Sequence, residues 1–405
     1  MSLDRHQIMS LKKSIALLVL LVACSLTMSL AFRDNLGLPV RVLNDPADMG
    51  VYTTEGSWFT QGKIPYKEAF SEYPQIAMWF FAVPHIVASW INPHGNNPFD
   101  YATLYSLFMV VFSFLSISVL YRLLDRPNLA FLLLLPASFY FTRNRYDIMP
   151  CLVGLVSLLL FSKQRYTLSA IVLAAGVLTK WYLLMMLPIY LAYYFYTRRR
   201  IPWTMIAAFC VTSFIIILPT LISAGINGLL LPYRYHWTTD MNEDSAIYWL
   251  NYFLSKVFNL NIGNPSVFAL FFILQFSAIP FCITSPVDSF EKVVRYSALC
   301  ILVFMLFAKF NSPQWVLWVS PLLIINARKP SDIAWIVLFD LWTYVWFPVG
   351  FDLLELQSIP YLLVVLVKTL ILIAFIVRLS RGILKDNLLV AFAQRRLALA
   401  HIAQT

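Results

Sequence analysis

Apolar runs recur along almost the whole chain, separated by short charged segments. They fall at 14–32, 101–121, 129–141, 148–162, 166–179, 181–197, 203–222, 266–283, 293–309, 314–327, 333–350 and 360–377. One helical crossing of a bilayer needs ~20 predominantly apolar residues. Within hydrocarbon no water satisfies backbone N–H and C=O groups, so such runs are helical. Several are shorter than the ~17 residues of a lipid-exposed helix; these are extended by their flanks or sit inside the bundle beside a water-filled cavity. The sequence therefore predicts an all-α, polytopic membrane bundle of about twelve transmembrane helices, a single integral membrane domain over 1–405.

Composition agrees. Hydrophobic residues make up 60% of the chain and mean hydropathy is +0.73. Charged residues are only 12%, about half the share in soluble domains. The net charge of +10 would suit nucleic acid, but its placement excludes that reading. Basic residues cluster between apolar runs, at Lys12-Lys13, Arg122 to Arg126, Lys163 to Arg165, Arg198 to Arg200, Lys292 to Arg295, Arg328-Lys329 and Arg378 to Arg396. Cytoplasmic loops look like this under the positive-inside tendency. With twelve spans, the side holding both termini carries roughly 19 Lys and Arg, the other roughly 10. Both termini are expected in the cytoplasm, and 378–405 reads as a cytoplasmic tail of a protein of the plasma membrane or its equivalent.

The run after Lys12-Lys13 is longer than the 7–15 residues of a signal-peptide core, so it reads as an uncleaved first span. Cys24, Cys151, Cys210, Cys282 and Cys300 lie in apolar runs without metal-like spacing and read as packing residues. The run 75–91 would invert all later topology if it crossed, so it is expected to lie along the external interface with Trp79 and Trp90 at headgroup level.

Two external regions stand out, an acid-rich loop over 33–100 and a second loop over 223–265. The first carries Asp45 and Asp48 just beyond span one, and a carboxylate held at a membrane surface can serve as a general base. Cations also stand at external span ends, where the positive-inside tendency disfavours them. They are Arg143 and Arg145, Lys180, Lys309, and Arg234 with His236 in the second loop. Converging on one pocket, they would suit an anion such as a lipid phosphate; the bland alternative is pairing with the external carboxylates.

Asp48-Met49-Gly50-Val51-Tyr52, then Gly62-x-x-Pro65-Tyr66 and Glu72-Tyr73-Pro74, resembles the first external loop of GT-C glycosyltransferases. Three later strings are similar in order and placement: Arg143-x-Arg145-Tyr146-Asp147, Leu178 to Tyr182, and Lys309-Phe310-Asn311-Ser312-Pro313-Gln314-Trp315. The nearest resemblance is to polyprenyl-phosphate-mannose-dependent mannosyltransferases and the GPI mannosyltransferase I group, over roughly 14–325. It implies inverting transfer of a hexose such as mannose from a polyprenyl-phosphate donor to a lipid or glycan acceptor outside the cytoplasm. Asp48 would be the base. Arg143, Arg145, Lys180, Arg234, His236, Lys309 and Gln314 would bind substrate or phosphate, with Asp45, Tyr52, Glu72, Tyr73 and Asp147 in support. Some GT-C enzymes carry a tight Asp-x-Asp pair associated with a divalent metal; here the spacing widens to Asp45-x-x-Asp48, no metal ligand is assigned, and Gln75 replaces a proline of the family pattern.

Two other readings compete. A transporter or flippase would show paired halves with charges near the midplane, whereas these charges gather at one face. A non-catalytic subunit of the same fold would share every motif and lack activity. Finally, Asp340 and Lys368 sit near the middle of the last two spans, where an isolated charge is costly, so they are expected to pair with each other.

Overall fold

The computed structural model describes residues 9–93, 99–260, 265–381 and 383. Most of the tail 378–405 and part of the first loop therefore lie outside the described residues. All regular structure described is helical, apart from an isolated bridge between Pro65 and Ala69. The helices are α1 Leu11–Leu30, α2 Pro46–Thr60, α3 Gln75–Ile91, α4 Tyr101–Leu123, α5 Pro136–Asn144, α6 Ile148–Ser162, α7 Tyr166–Val177, α8 Met186–Arg198 and α9 Trp203–Thr238. There follow α10 Ala246–Phe258, α11 Pro265–Phe276, α12 Ala278–Ile283, α13 Phe290–Phe307, α14 Val316–Asn326, α15 Pro330–Tyr344, α16 Phe351–Leu353 and α17 Ile359–Ser380.

Among the described residues, α1, α4, α9, the run Pro330–Leu353 and α17 are long and apolar enough to cross a membrane. The pair α5 and α6, bent by 109° at its break, adds a sixth if taken as one span. This is a helical membrane protein. The remaining expected runs are helical too, but α7, α8, α11, α12 and α14 each fall short of a ~30 Å hydrocarbon core. Helix α13 carries Glu291, Lys292 and Arg295 within its 18 residues. The run 129–141 is divided, because Pro136 starts a new helix after the 3-10 turn Pro127–Leu134.

The expected single body divides into two compact units. The first takes Met1–Leu184, Thr204–Asp240 and Pro313–Glu355; the second takes Met185–Trp203, Met241–Ser312 and Leu356–Thr405.

In the first unit α4 is central, with Tyr105, Met109, Val110, Ile117 and Leu120 fully buried. Buried Ser106, Ser113 and Ser116 on the same helix let neighbours approach closely. Ser157 and Ser169 exchange hydroxyl-to-carbonyl hydrogen bonds of 3.0 and 2.9 Å between α6 and α7. The run 75–91 forms the helix α3. It buries Ala77, Met78 and Phe81 and exposes Trp79 and Trp90. Gly56 of α2 admits this approach, since a Cβ there would stand 2.3 Å from the Phe81 carbonyl oxygen. Arg33, just beyond α1, forms an ion pair with Asp100, the N-cap of α4. The two ends of the segment 33–100 therefore meet.

The region 223–265 differs from the expected loop. Helix α9 does not end near 222; it continues to Thr238 through a break at Gly225 (φ 66, ψ −173), a conformation only glycine adopts readily. Only 239–245 connects it to α10, which Ser245 caps through the Tyr248 N–H.

The second unit packs α13 among α8, α11, α12 and α17. Ile247 and Phe271 form a small core with Met241, Leu254, Leu274 and Phe307. The 242–245 turn organises its polar interior. Asn242 Nδ2 donates to the Asn311 carbonyl at 3.2 Å, and Asn311 N–H donates to Asn242 Oδ1 at 3.0 Å. Tyr361 and Lys368 of α17 donate to the Asp244 carboxylate and carbonyl.

The expected pairing of Asp340 with Lys368 is thus replaced by two separate partnerships. In the first unit, Asp340 accepts from the backbone N–H groups of Ala137 and Ser138 at 2.9 Å and from the Ser138 hydroxyl at 2.6 Å. It serves as the hydrogen-bond acceptor at the N-terminus of α5, where the first N–H groups of a helix have no partner within it.

Candidate active site

The site is built around the start of α2. Asp45 caps that helix, accepting from Ala47 N–H at 3.1 Å, and Pro46 occupies its first turn. Asp48 follows one turn later. Arg145 links the two, because α5 ends at Asn144 and Arg145 is extended (φ −135, ψ 155). Its Nη2 lies 2.5 Å from Asp45 Oδ2 and its Nε 2.8 Å from Asp48 Oδ2. Asp45 is fully buried and also pairs with Arg41 at 3.1 Å, which in turn grips Asp352 at 2.6 Å. The Asp48 side chain remains 32% exposed, and the Tyr52 hydroxyl donates to it at 3.3 Å. Of the two loop carboxylates, only Asp48 faces outward.

A cluster of rings connects this pair to the rest of the site. Tyr52 meets Tyr73 and Tyr146 edge-on at 5.8 and 5.9 Å, and Tyr73 meets Tyr146 at 5.4 Å. Lys180 Nζ sits 4.3 Å from the Tyr146 ring centroid, a favourable cation–π position. The same ammonium pairs with Asp147 Oδ1 at 2.7 Å, to which the Trp318 indole N–H also donates at 2.6 Å. Asp147 Oδ2 is buried and has no hydrogen-bond partner among the described residues.

The distal half of α9 closes another side. Trp181 stacks on Tyr233 at 4.4 Å and meets His236 edge-on at 5.2 Å. His236 Nε2 lies 3.2 Å from the Glu72 carbonyl oxygen. The Glu72 side chain is half-buried. Burial raises its pKa, with the negative charge of Asp48 adding to the effect and Tyr73, Lys180 and Tyr235 opposing it.

The expected residues therefore divide. Asp45, Asp48, Tyr52, Glu72, Tyr73, Arg145, Asp147, Lys180 and His236 form one connected set. Arg143, two positions from Arg145, is turned away. Its buried guanidinium donates to Ser29 Oγ at 2.9 Å, the Leu43 carbonyl at 3.0 Å and Asn44 Oδ1 at 3.1 Å, tying α1 to the loop. Arg234 is exposed and donates to Asn227 at 3.2 Å. Gln314 is half-buried in the 3-10 turn Pro313–Trp315. Lys309 belongs to the second unit, where its carbonyl accepts from Asn242 N–H at 3.3 Å.

Sequence reasoning gave no role to Arg41, Glu55, Tyr235 or Asp352, and it carried Tyr146, Trp181 and Trp318 only as members of the resembling strings. The spacing Arg41-x-x-x-Asp45 was the available signal for the first; Asp352 is distant in sequence and left none.

The donor set does not fit a divalent metal. Both Asp45 oxygens accept from guanidinium groups, and Asp48 shares Arg145. Among the described residues no three His, Cys, Asp or Glu side chains converge. No protein-family model matches the chain, and a search of curated proteins finds no match.

Proposed function

We propose that this protein is a GT-C-type membrane glycosyltransferase that moves a hexose from a polyprenyl-phosphate donor to an acceptor hydroxyl, with Asp48 as general base. The observation that carries this reading is the asymmetry of the two loop carboxylates: Asp45 is enclosed by Arg41 and Arg145, while Asp48 is held by Arg145 and open to an acceptor. In the proposed reaction the acceptor oxygen attacks the anomeric carbon in line, and the bond from that carbon to the phosphate oxygen breaks. Asp48 takes the hydroxyl proton, a contribution of ~10²–10⁴-fold. The positive charge developing on the sugar ring is flanked by carboxylates. Lys180, fixed by Asp147 over Tyr146, stabilises the charge on the departing phosphate.

The inverting outcome follows from a single displacement. The prenyl chain would lie in a groove between spans, which is why a hydrophilic reaction is carried by a membrane protein. The Arg33–Asp100 ion pair supports placing both ends of the first segment on one side, with α3 along the interface and the site outside. Cytoplasmic termini and a crossing number near twelve complete this topology, on the charge distribution.

Transport and a non-catalytic role are separated from it by one assay. The purified protein is placed in vesicles with a labelled polyprenyl-phosphate hexose and a glycan or lipid acceptor. The proposal expects labelled acceptor and free polyprenyl phosphate in equal amounts. Movement of unaltered donor between leaflets would favour the transporter, and neither outcome the non-catalytic subunit.

A further inference from the structure

The end of the run Pro330–Leu353 packs against the segment that leads into α2. A proline disfavours helical backbone at the residue before it, and Phe347, preceding Pro348, is extended (φ −139, ψ 126) between α15 and α16. The Tyr344 hydroxyl donates to the Val42 carbonyl at 2.7 Å. The Asp352 carboxylate accepts from the Arg41 backbone N–H at 2.7 Å and from its guanidinium Nε and Nη2 at 3.0 and 2.6 Å. Charge-assisted bonds of this multiplicity fix orientation as well as distance.

From Asp352 the charges alternate in one row. Asp352, Arg41, Asp45, Arg145 and Asp48 follow one another with contacts of 2.6, 3.1, 2.5 and 2.8 Å, all within the first unit. The guanidinium carbons of Arg41 and Arg145 stand 5.3 and 5.9 Å from the centroid of the buried Phe347 ring, so one ring meets both cations. Arg41 directs Nε and Nη2 to Asp352 and only Nη1 to Asp45 Oδ1, which leaves Asp45 Oδ2 to Arg145. A guanidinium offers five donors. Without Asp352, the Arg41 fork would turn onto Asp45 and contest the oxygen that anchors Arg145.

We propose that Asp352 is a positioning residue for proton transfer: through Arg41 and Asp45, with Phe347 against both cations, it holds Arg145 on Asp48 and so fixes the carboxylate that receives the acceptor proton. This rests on the glycosyltransferase reading above. Because Asp352 acts only through the row, its loss should appear in kcat and not in substrate binding.

The test measures kcat and KM with the full-length protein in vesicles, using polyprenyl-phosphate mannose or polyprenyl-phosphate glucose, whichever wild type transfers. Asp352→Asn is expected to lower kcat about 10-fold, with KM within about twofold of wild type. Asp352→Glu keeps the charge and should recover most of the loss. In an Asp48→Asn background, adding Asp352→Asn should cost less than about twofold, because the carboxylate it positions is already neutral. If Asp352→Asn does not accumulate as folded protein, Phe347→Leu removes the ring face from both cations and should give the same pattern, several-fold in kcat. Equal losses in the wild-type and Asp48→Asn backgrounds, or a loss confined to KM, overturn the positioning role and leave the transferase reading intact. A wild-type protein that transfers from neither donor overturns the transferase reading, and this inference with it.

Discussion

The guanidinium of Arg145 stands 2.8 Å from the carboxylate of Asp48, and reaches it only because the chain turns extended one residue after α5 ends. The same side chain holds Asp45 at 2.5 Å. One arginine thus joins a buried acid to an open one and gives them different consequences when removed.

Asp45→Asn acts through stability. It removes the negative charge between Arg41 and Arg145, both of which pair with it, and leaves a buried cation under-compensated. A loss of about 3 kcal/mol or more is expected. Melting of the detergent-purified variant should show it, and a melting temperature equal to wild type would remove Asp45 from the structural role.

Glu55 sets a pH dependence. Burial pushes its carboxyl from 4.5 up to about 8, against a hydrogen bond from Ser71 and with help from the charge of Glu72. Between these values the folded state holds a proton that the unfolded state has released, so stability falls as pH rises through the window. Glu55→Gln lacks that titration. Its melting temperature should drop less than that of wild type between pH 5 and pH 8, and parallel drops would contradict the assignment.

Asp340→Leu should destabilise the first unit, since three donors of Ala137 and Ser138 lose their acceptor. Each buried donor left unpaired costs about 1–3 kcal/mol. Proteolysis near α5 in vesicles should accelerate; unchanged protection would mean that this helix end is satisfied otherwise.

These residues show what a sequence discloses. The helical character was legible because apolar runs mark it, and Asp48 was singled out because its string resembles a family loop. Arg143 and Arg145 were not distinguishable. Their opposite fates depend on a helix ending between them, and end positions are poorly encoded. The proposed Asp340–Lys368 pair failed for a similar reason: depth in a span is readable, whereas azimuth and the chain that packs alongside are not. The polarity of 223–265 suggested a loop, but Tyr233, Tyr235 and His236 are carried by a helix broken at Gly225, so the polar residues line a site instead of a connection.

Topology is tested by single cysteines at Lys63, Pro93 and Asn128 in a background without the native thiols. The first two flank α3 and should react together with an impermeant reagent added outside, while Asn128 should react only after permeabilisation. Labelling of Lys63 and Pro93 from opposite sides would place α3 across the bilayer and divide the candidate site between two faces.

The central claim rests on the open carboxylate of Asp48. Asp48→Asn keeps shape and removes proton acceptance, with little effect on stability because the side chain is partly exposed and Arg145 retains Asp45. With purified, folded variant in vesicles and polyprenyl-phosphate hexose as donor, single-turnover transfer should fall by ~10² or more. Transfer by Asp48→Asn at close to the wild-type rate would contradict the account.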